Sequence, residues 1–186
     1  PDDSAFDFIH IETIASRSSV HDWTIRAHRH RNLFQILLIE QGGGEMSFET
    51  ATVPFTAPAV ILVPATTAHG FRFTPRVTNG WVVSFTEDVA DALGDQSGEA
   101  LARLKAVAVN PLLPITDAAE SKRLAMLCAD LNEETSLARE GYRLAMRGLL
   151  ALIAIEVVRL GVSRARSGEV TLSRADARVD ALRQLV

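Results

Sequence analysis

His28-Arg29-His30 leads into the run Leu33-Phe34-Gln35-Ile36-Leu37-Leu38-Ile39. After a glycine run, Gly42-Gly43-Gly44, a third histidine closes the stretch Pro64-Ala65-Thr66-Thr67-Ala68-His69. Side chains alternate faces along a strand, so His28 and His30 are expected to point the same way. Two imidazoles on one face, joined by a third from a later strand, can converge on a metal ion or an anionic ligand inside a barrel.

Outward from this stretch the chain reads as short strands. Phe6–Glu12 is aromatic-rich and β-like, Ser16–Ser19 is a polar turn, and Val20–Arg26 is a second strand. Leu33–Glu40 is a long strand that the glycines break, and Glu45–Thr50 returns with Met46 and Phe48 on one face, a hairpin signal. Beyond Pro54 and Pro58, Ala59–Val63 is apolar throughout, as in a buried strand. His69–Thr74 alternates, and Gly80–Phe85 adds a strand through Trp81, Val83 and Phe85. Short strands at this spacing predict a sandwich or barrel over residues 1–86.

The composition changes after Thr86. Glu87–Leu104 suggests short helices around a Gly94–Gly98 loop, and Asn110–Ile115, with two prolines, reads as an extended linker. Asp117 can cap a helix, with Glu120 completing a capping-box pattern and Leu124, Leu127, Cys128 and Leu131 forming one stripe. A second long helix is expected from Arg139 to Leu160, stopping at Gly161. Its middle, Leu149–Ile155, is apolar on every face and must be covered on more than one side. Either it is wedged between the barrel and its partner helix, or a second subunit covers it; a dimer is the reading taken. Residues 87–162 thus form a helical dimerisation region. Residues 163–186 read as a polar linker, Ser163–Val170, and a helix opening at Ser173, the start of a truncated domain.

Composition narrows the function. A chain of 186 residues fits one domain with a small appendage. With 47% hydrophobic and 23% charged residues, a disordered chain is not expected. The net charge of -4 argues against a nucleic-acid surface, which needs a basic stripe. The single cysteine, Cys128, excludes an intramolecular disulfide and fits a reducing cytoplasm. No secretory segment opens the chain, and Leu149–Val158 is too short to span a bilayer, so a soluble cytoplasmic protein is expected.

His28, His30 and His69 are the strongest chemical signal, and Gln35 follows where a fourth group could face inward. A neutral amide serves a hard divalent ion less well than a carboxylate, so a metal there, zinc if any, would rely on the imidazoles. Arg26 shares the parity of His28 if its strand is unbroken. An inward guanidinium among Phe71, Phe73 and Trp81 would suit a small aromatic acid: Arg26 on the carboxylate, aromatics on the ring, an imidazole on a ring hydroxyl. No nucleophile elbow, phosphate-cradling glycine loop or CxxC motif is present, and catalysis is not expected.

His28-x-His30 followed by Pro64-x-x-x-x-His69 resembles the two motifs of the cupin superfamily, a small β-barrel fold. Gln35 stands where enzymatic cupins usually place a metal-binding Glu, and Thr66 where the second motif usually has Gly. A cupin barrel followed by a helical pair and a linker resembles the N-terminal regulatory domain of AraC-type transcriptional regulators. Ser18–His30, Leu62-Val63-Pro64 and His69-Gly70-Phe71-Arg72-Phe73 resemble most the PobR branch of that family. The resemblance implies an α+β fold, a hydroxybenzoate effector such as 4-hydroxybenzoate bound in the barrel, helix-mediated homodimers, and activation of transcription through a DNA-binding domain absent from this chain. The competing reading is a stand-alone metal-dependent cupin enzyme, a dioxygenase or isomerase.

Overall fold

A computed structural model describes residues 8–19, 22–91 and 99–166. Among the described residues, nine strands and five helices run in the order β1 (Ile9–Thr13), α1 (Ile14–Ser19), β2 (Thr24–His28), β3 (Leu33–Gln41), β4 (Gly43–Phe48), β5 (Ala51–Thr56), β6 (Ala59–Val63), β7 (His69–Phe73), β8 (Asn79–Thr86), α2 (Glu87–Asp91), α3 (Glu99–Val107), β9 (Leu112–Pro114), α4 (Ala118–Leu137) and α5 (Tyr142–Arg166). The strands form two antiparallel sheets, one of order β1-β8-β3-β6-β9 and one of order β2-β7-β4-β5. The fold is α+β: a cupin-like sandwich of antiparallel sheets followed by helices.

The five-stranded sheet is buried on both faces, which is why β3 and β6 read as continuous apolar runs. Phe34, Ile36 and Leu38 of β3 turn to a core completed by Leu101 and Leu104 of α3, Leu124, Leu127, Cys128 and Leu131 of α4, and Leu150, Ile153 and Val157 of α5. The alternate residues Leu37 and Ile39 turn the other way, between the sheets, with Met46, Phe55, Ile61, Phe71, Phe73 and Val82. One strand therefore serves two cores through its period of two. At roughly 1.5–3 kcal/mol per buried large apolar side chain, both cores contribute substantially.

The glycine run does not make a hairpin. Gly42, at φ +74°, carries the chain from the five-stranded to the four-stranded sheet, and Gly43 and Gly44 already belong to β4. Thr78, 1% exposed, pins that crossing: its hydroxyl donates to the Gly43 carbonyl at 2.6 Å and accepts from the Gly43 N–H at 3.2 Å. The hairpin lies one strand later, where Phe48 pairs with Ala51 across Glu49-Thr50. Pro54 is tolerated in β5 because that strand is an edge.

Four further expectations need correction. Ser16–Ser19 is not a turn but part of α1, whose Ile14 is fully buried between the sheets. The second strand begins at Thr24 and includes His28. The segment taken as a linker contributes β9, which pairs with β6 (Val60↔Leu113), so residues 87–162 are not wholly helical. Finally, α5 begins at Tyr142 and continues through Gly161 to Arg166. Gly161 is there for close packing: a Cβ would come within 2.2 Å of Val107 Cγ1 on α3. The cap at Asp117 forms, its Oδ1 accepting the Ala119 N–H at 2.8 Å. The Gly94–Gly98 loop and the helix expected from Ser173 lie outside the described residues. Among the described residues no helix is long and apolar enough to cross a membrane.

Candidate functional site

The site is built where β2 runs beside β7. Ile25 pairs with Phe71 and His28 with His69, so Arg26 and Ala27 together stand opposite Gly70, a β-bulge. The extra residue resets the alternation: Ile25 and His28 share the inner face, and Arg26 is turned out to solvent. An inward Arg26 required an unbroken strand, and that expectation is corrected. His30 lies just past the end of β2, its carbonyl accepting the Thr66 N–H at 2.7 Å. The loop, not strand parity, brings it beside His28.

The three rings form a cluster, with centroids 4.4 Å (His28–His69), 4.8 Å (His28–His30) and 5.5 Å (His30–His69) apart. His28 Nδ1 lies 2.8 Å from the Arg26 carbonyl and His69 Nδ1 lies 2.9 Å from the Thr67 carbonyl. A carbonyl only accepts, so each Nδ1 carries the proton and each Nε2 presents a lone pair. His28 Nε2 and His30 Nε2 are 3.1 Å apart, whereas His69 Nε2 is buried with no partner. An orphaned buried acceptor is a costly feature that a ligand can satisfy. Burial holds the His69 imidazole down to about 4, helped by His28, His30 and Arg17 and opposed by the Thr67 bond. His30 is also lowered, by burial first and then by His28 and Arg17.

The residues expected around this cluster divide. Gln35 is 3% exposed and lines the same interior, its Nε2 donating to Ser84 Oγ at 2.9 Å. Phe71 and Phe73 face inward but stack on each other at 5.4 Å as part of the packed core. Trp81 lies on the opposite face of β8, packed under the helices. It does not line the interior. Both faces of β8 are buried, so alternation alone could not tell which one Trp81 occupies. Outside the expected set, His10 is exposed and lies 3.7 Å from Glu12, lining neither space described below.

Two spaces meet here. The cavity bounded by His28, His69, Gln35, Leu37 and Phe71 is about 10 Å³, water-sized. A groove of about 680 Å³ lies outside it, lined by Glu12, Arg17, Asp22, Thr24, Arg26 and Ala27, with His28 and Ile25 common to both spaces. Arg17 also borders both, bonded through Nη1 to Glu12 Oε1 at 2.6 Å. Sequence reading missed Arg17 because α1 carries no motif and reads as a polar turn.

Among the described residues the three histidines are the group able to hold a metal, with one donor atom from each within 4.8 Å of the others. Three neutral imidazoles and no carboxylate form a donor set suited to a borderline ion such as zinc rather than to magnesium or calcium. The proton on Nδ1 of His28 and of His69 is tied to a carbonyl, the arrangement that orients imidazole ligands. The unpartnered His69 Nε2 fits the same use.

A family model described as the AraC-like ligand binding domain matches residues 10–153. No curated protein matches the chain. Among solved structures, the AraC-like transcriptional activator CuxR is similar at 9% identity and a TM-score of 0.45, over 76% of this chain and 54% of that one. KdgF from Halomonas sp. is similar at 19% identity and a TM-score of 0.32, over 34% and 57%. A cupin 2 conserved barrel domain protein from Rhodopseudomonas palustris is similar at 14% identity and a TM-score of 0.33, over 53% and 72%. The chain spans a little over half the length of CuxR and of KdgF.

Proposed function

The chain belongs to the family of AraC-like ligand-binding domains, and from that membership we propose that it is the effector-sensing and dimerisation part of a transcription activator. The effector proposed is a small hydroxybenzoate-like aromatic acid, 4-hydroxybenzoate or a close analogue. DNA recognition in the cytoplasm is assigned to a separate helix-turn-helix domain, since the net charge of -4 here argues against a nucleic-acid surface.

The observation that carries this reading is the histidine cluster at the inner end of an open groove. Imidazoles suit a phenolic hydroxyl, as donor or acceptor, and the groove has the volume for an aromatic ring that the 10 Å³ cavity lacks. His28, His30 and His69 would hold a zinc ion, which when bound supplies a positive charge for an anionic or phenolic oxygen. Binding regulates only if two arrangements of the domain differ in affinity for the acid, and α1, seated between groove and core, is the element placed to differ.

Helix α5 supports the dimer. Leu144, Leu152, Ile155 and Val162 are 77%, 41%, 44% and 43% exposed and fall on one stripe at helical spacing. An exposed apolar stripe of this kind is a surface for a second copy.

Calorimetry with a panel of hydroxybenzoates, with and without added zinc, tests the assignment. At least one is expected to bind, with no turnover. No binding by any of them removes the effector, and turnover would restore the metal-dependent dioxygenase or isomerase.

A further inference from the structure

We propose that Arg17 is the residue that selects an anionic ligand, holding its carboxylate where the outer groove meets the histidine cavity. This rests on the effector reading above and names the group that would recognise the acid. Three residues border both spaces: Ile25, His28 and Arg17. One is apolar and one is an imidazole; Arg17 alone is a permanent cation. Any ligand that reaches from the groove toward the histidines passes it.

The guanidinium is held in place from two directions. Ile14, fully buried, seats α1 in the core, and the Thr13 hydroxyl accepts the Ser16 N–H at 3.0 Å at the start of the helix. Glu12 takes the Nη1 donor at 2.6 Å, which orients the fork while using one of its five N–H groups. The Arg17 side chain is 27% exposed, so a carboxylate meeting it is partly shielded from water, where charge-assisted bonds are stronger. Arg26, turned out by the bulge, lines the groove only and remains in solvent. The groove carries Glu12 and Asp22 against Arg17 and Arg26, so it does not attract anions by its overall charge. Selection must come from a positioned donor, and Arg17 is positioned.

Calorimetric titration of the 186-residue chain with 4-hydroxybenzoate and with its neutral analogue 4-hydroxybenzamide, in wild type, Arg17→Gln and Arg26→Gln, tests this. Wild type is expected to prefer the acid by about 10- to 100-fold, the range for charge-assisted bonds. Arg17→Gln should lose that preference while binding the amide as before, which also shows that it folds. Arg26→Gln should keep the preference. Equal binding of acid and amide by wild type, a preference that survives Arg17→Gln, its loss in Arg26→Gln, or an Arg17→Gln that binds neither compound would each overturn the proposal. In all of these outcomes wild type still binds, and the effector reading stands. A wild type that binds neither compound counts against that reading itself and takes this proposal with it.

Discussion

His28 stands opposite His69 across the β2–β7 pair, ring centroids 4.4 Å apart, and each ring has its Nδ1 fixed by a carbonyl two residues before it. The backbone thereby sets both tautomers and turns both Nε2 atoms into the cluster, where that of His28 meets His30 Nε2 at 3.1 Å and that of His69 has no partner. The bulge opposite Gly70 makes this pairing possible, since without the added residue Ala27 would face His69.

Zinc should raise the melting temperature of the wild-type chain through this cluster. At a free concentration 100 times Kd the gain is about 2.7 kcal/mol. His69→Ala should abolish the shift, and His28→Ala or His30→Ala should weaken binding at least about tenfold. Differential scanning fluorimetry with added zinc measures all three; an unchanged shift in His69→Ala refutes the ligand set.

Stability of the metal-free chain should fall as the solution is acidified from pH 7 to pH 4. His69 takes up its proton near 6.5 when unfolded and only at about 4 when folded. Between those values the unfolded chain binds the extra proton, so stability is full above pH 6.5 and is lost as pH falls through the folded value. The contribution is on the order of 3 kcal/mol, since the ring is 2% exposed. Urea denaturation at pH 7 and pH 4.5, with a chelator present, should show a smaller acid loss in His69→Asn than in wild type. Equal losses would show that His69 is not the group responsible.

Leu144→Glu combined with Ile155→Glu should convert a dimer to a monomer. Both residues are exposed on the α5 stripe, so charge there meets a partner surface without disturbing the fold. Sedimentation velocity reads the outcome. A wild-type monomer, or a double variant that stays dimeric, would rule out this face.

Thr78→Val should destabilise the chain by about 1–2 kcal/mol, since it removes both hydroxyl bonds to Gly43 at the sheet-to-sheet crossing. Chemical denaturation should show a lower midpoint with an unchanged slope. No loss of stability would mean that the crossing is held by other bonds.

Much of the site was legible in the sequence, but unevenly. His69, Phe71 and Phe73 share a face of β7 while Arg72 turns outward to Glu45, as simple alternation requires. The same rule placed Arg26 inward and Trp81 around the ligand, and both placements failed. A bulge changes the count opposite Gly70, and a sheet buried on both faces leaves Trp81 with two apolar choices. Arg17 was invisible because nothing local marks a half-buried arginine on a single turn and a half of helix.

The sequence by itself determined most of the strands, though not β5 or β9, together with the capped helix after Asp117, the apolar length of α5 and the three histidines. All of these follow from local periodicity and side-chain chemistry. Only the tertiary structure decided that Gly42 crosses between sheets instead of closing a hairpin, that β9 returns to the barrel, and that Arg17 rather than Arg26 borders the histidine cavity. Each of these depends on which distant strand a segment pairs with, and that choice is settled by the packing of the whole chain, not by the residues of the segment.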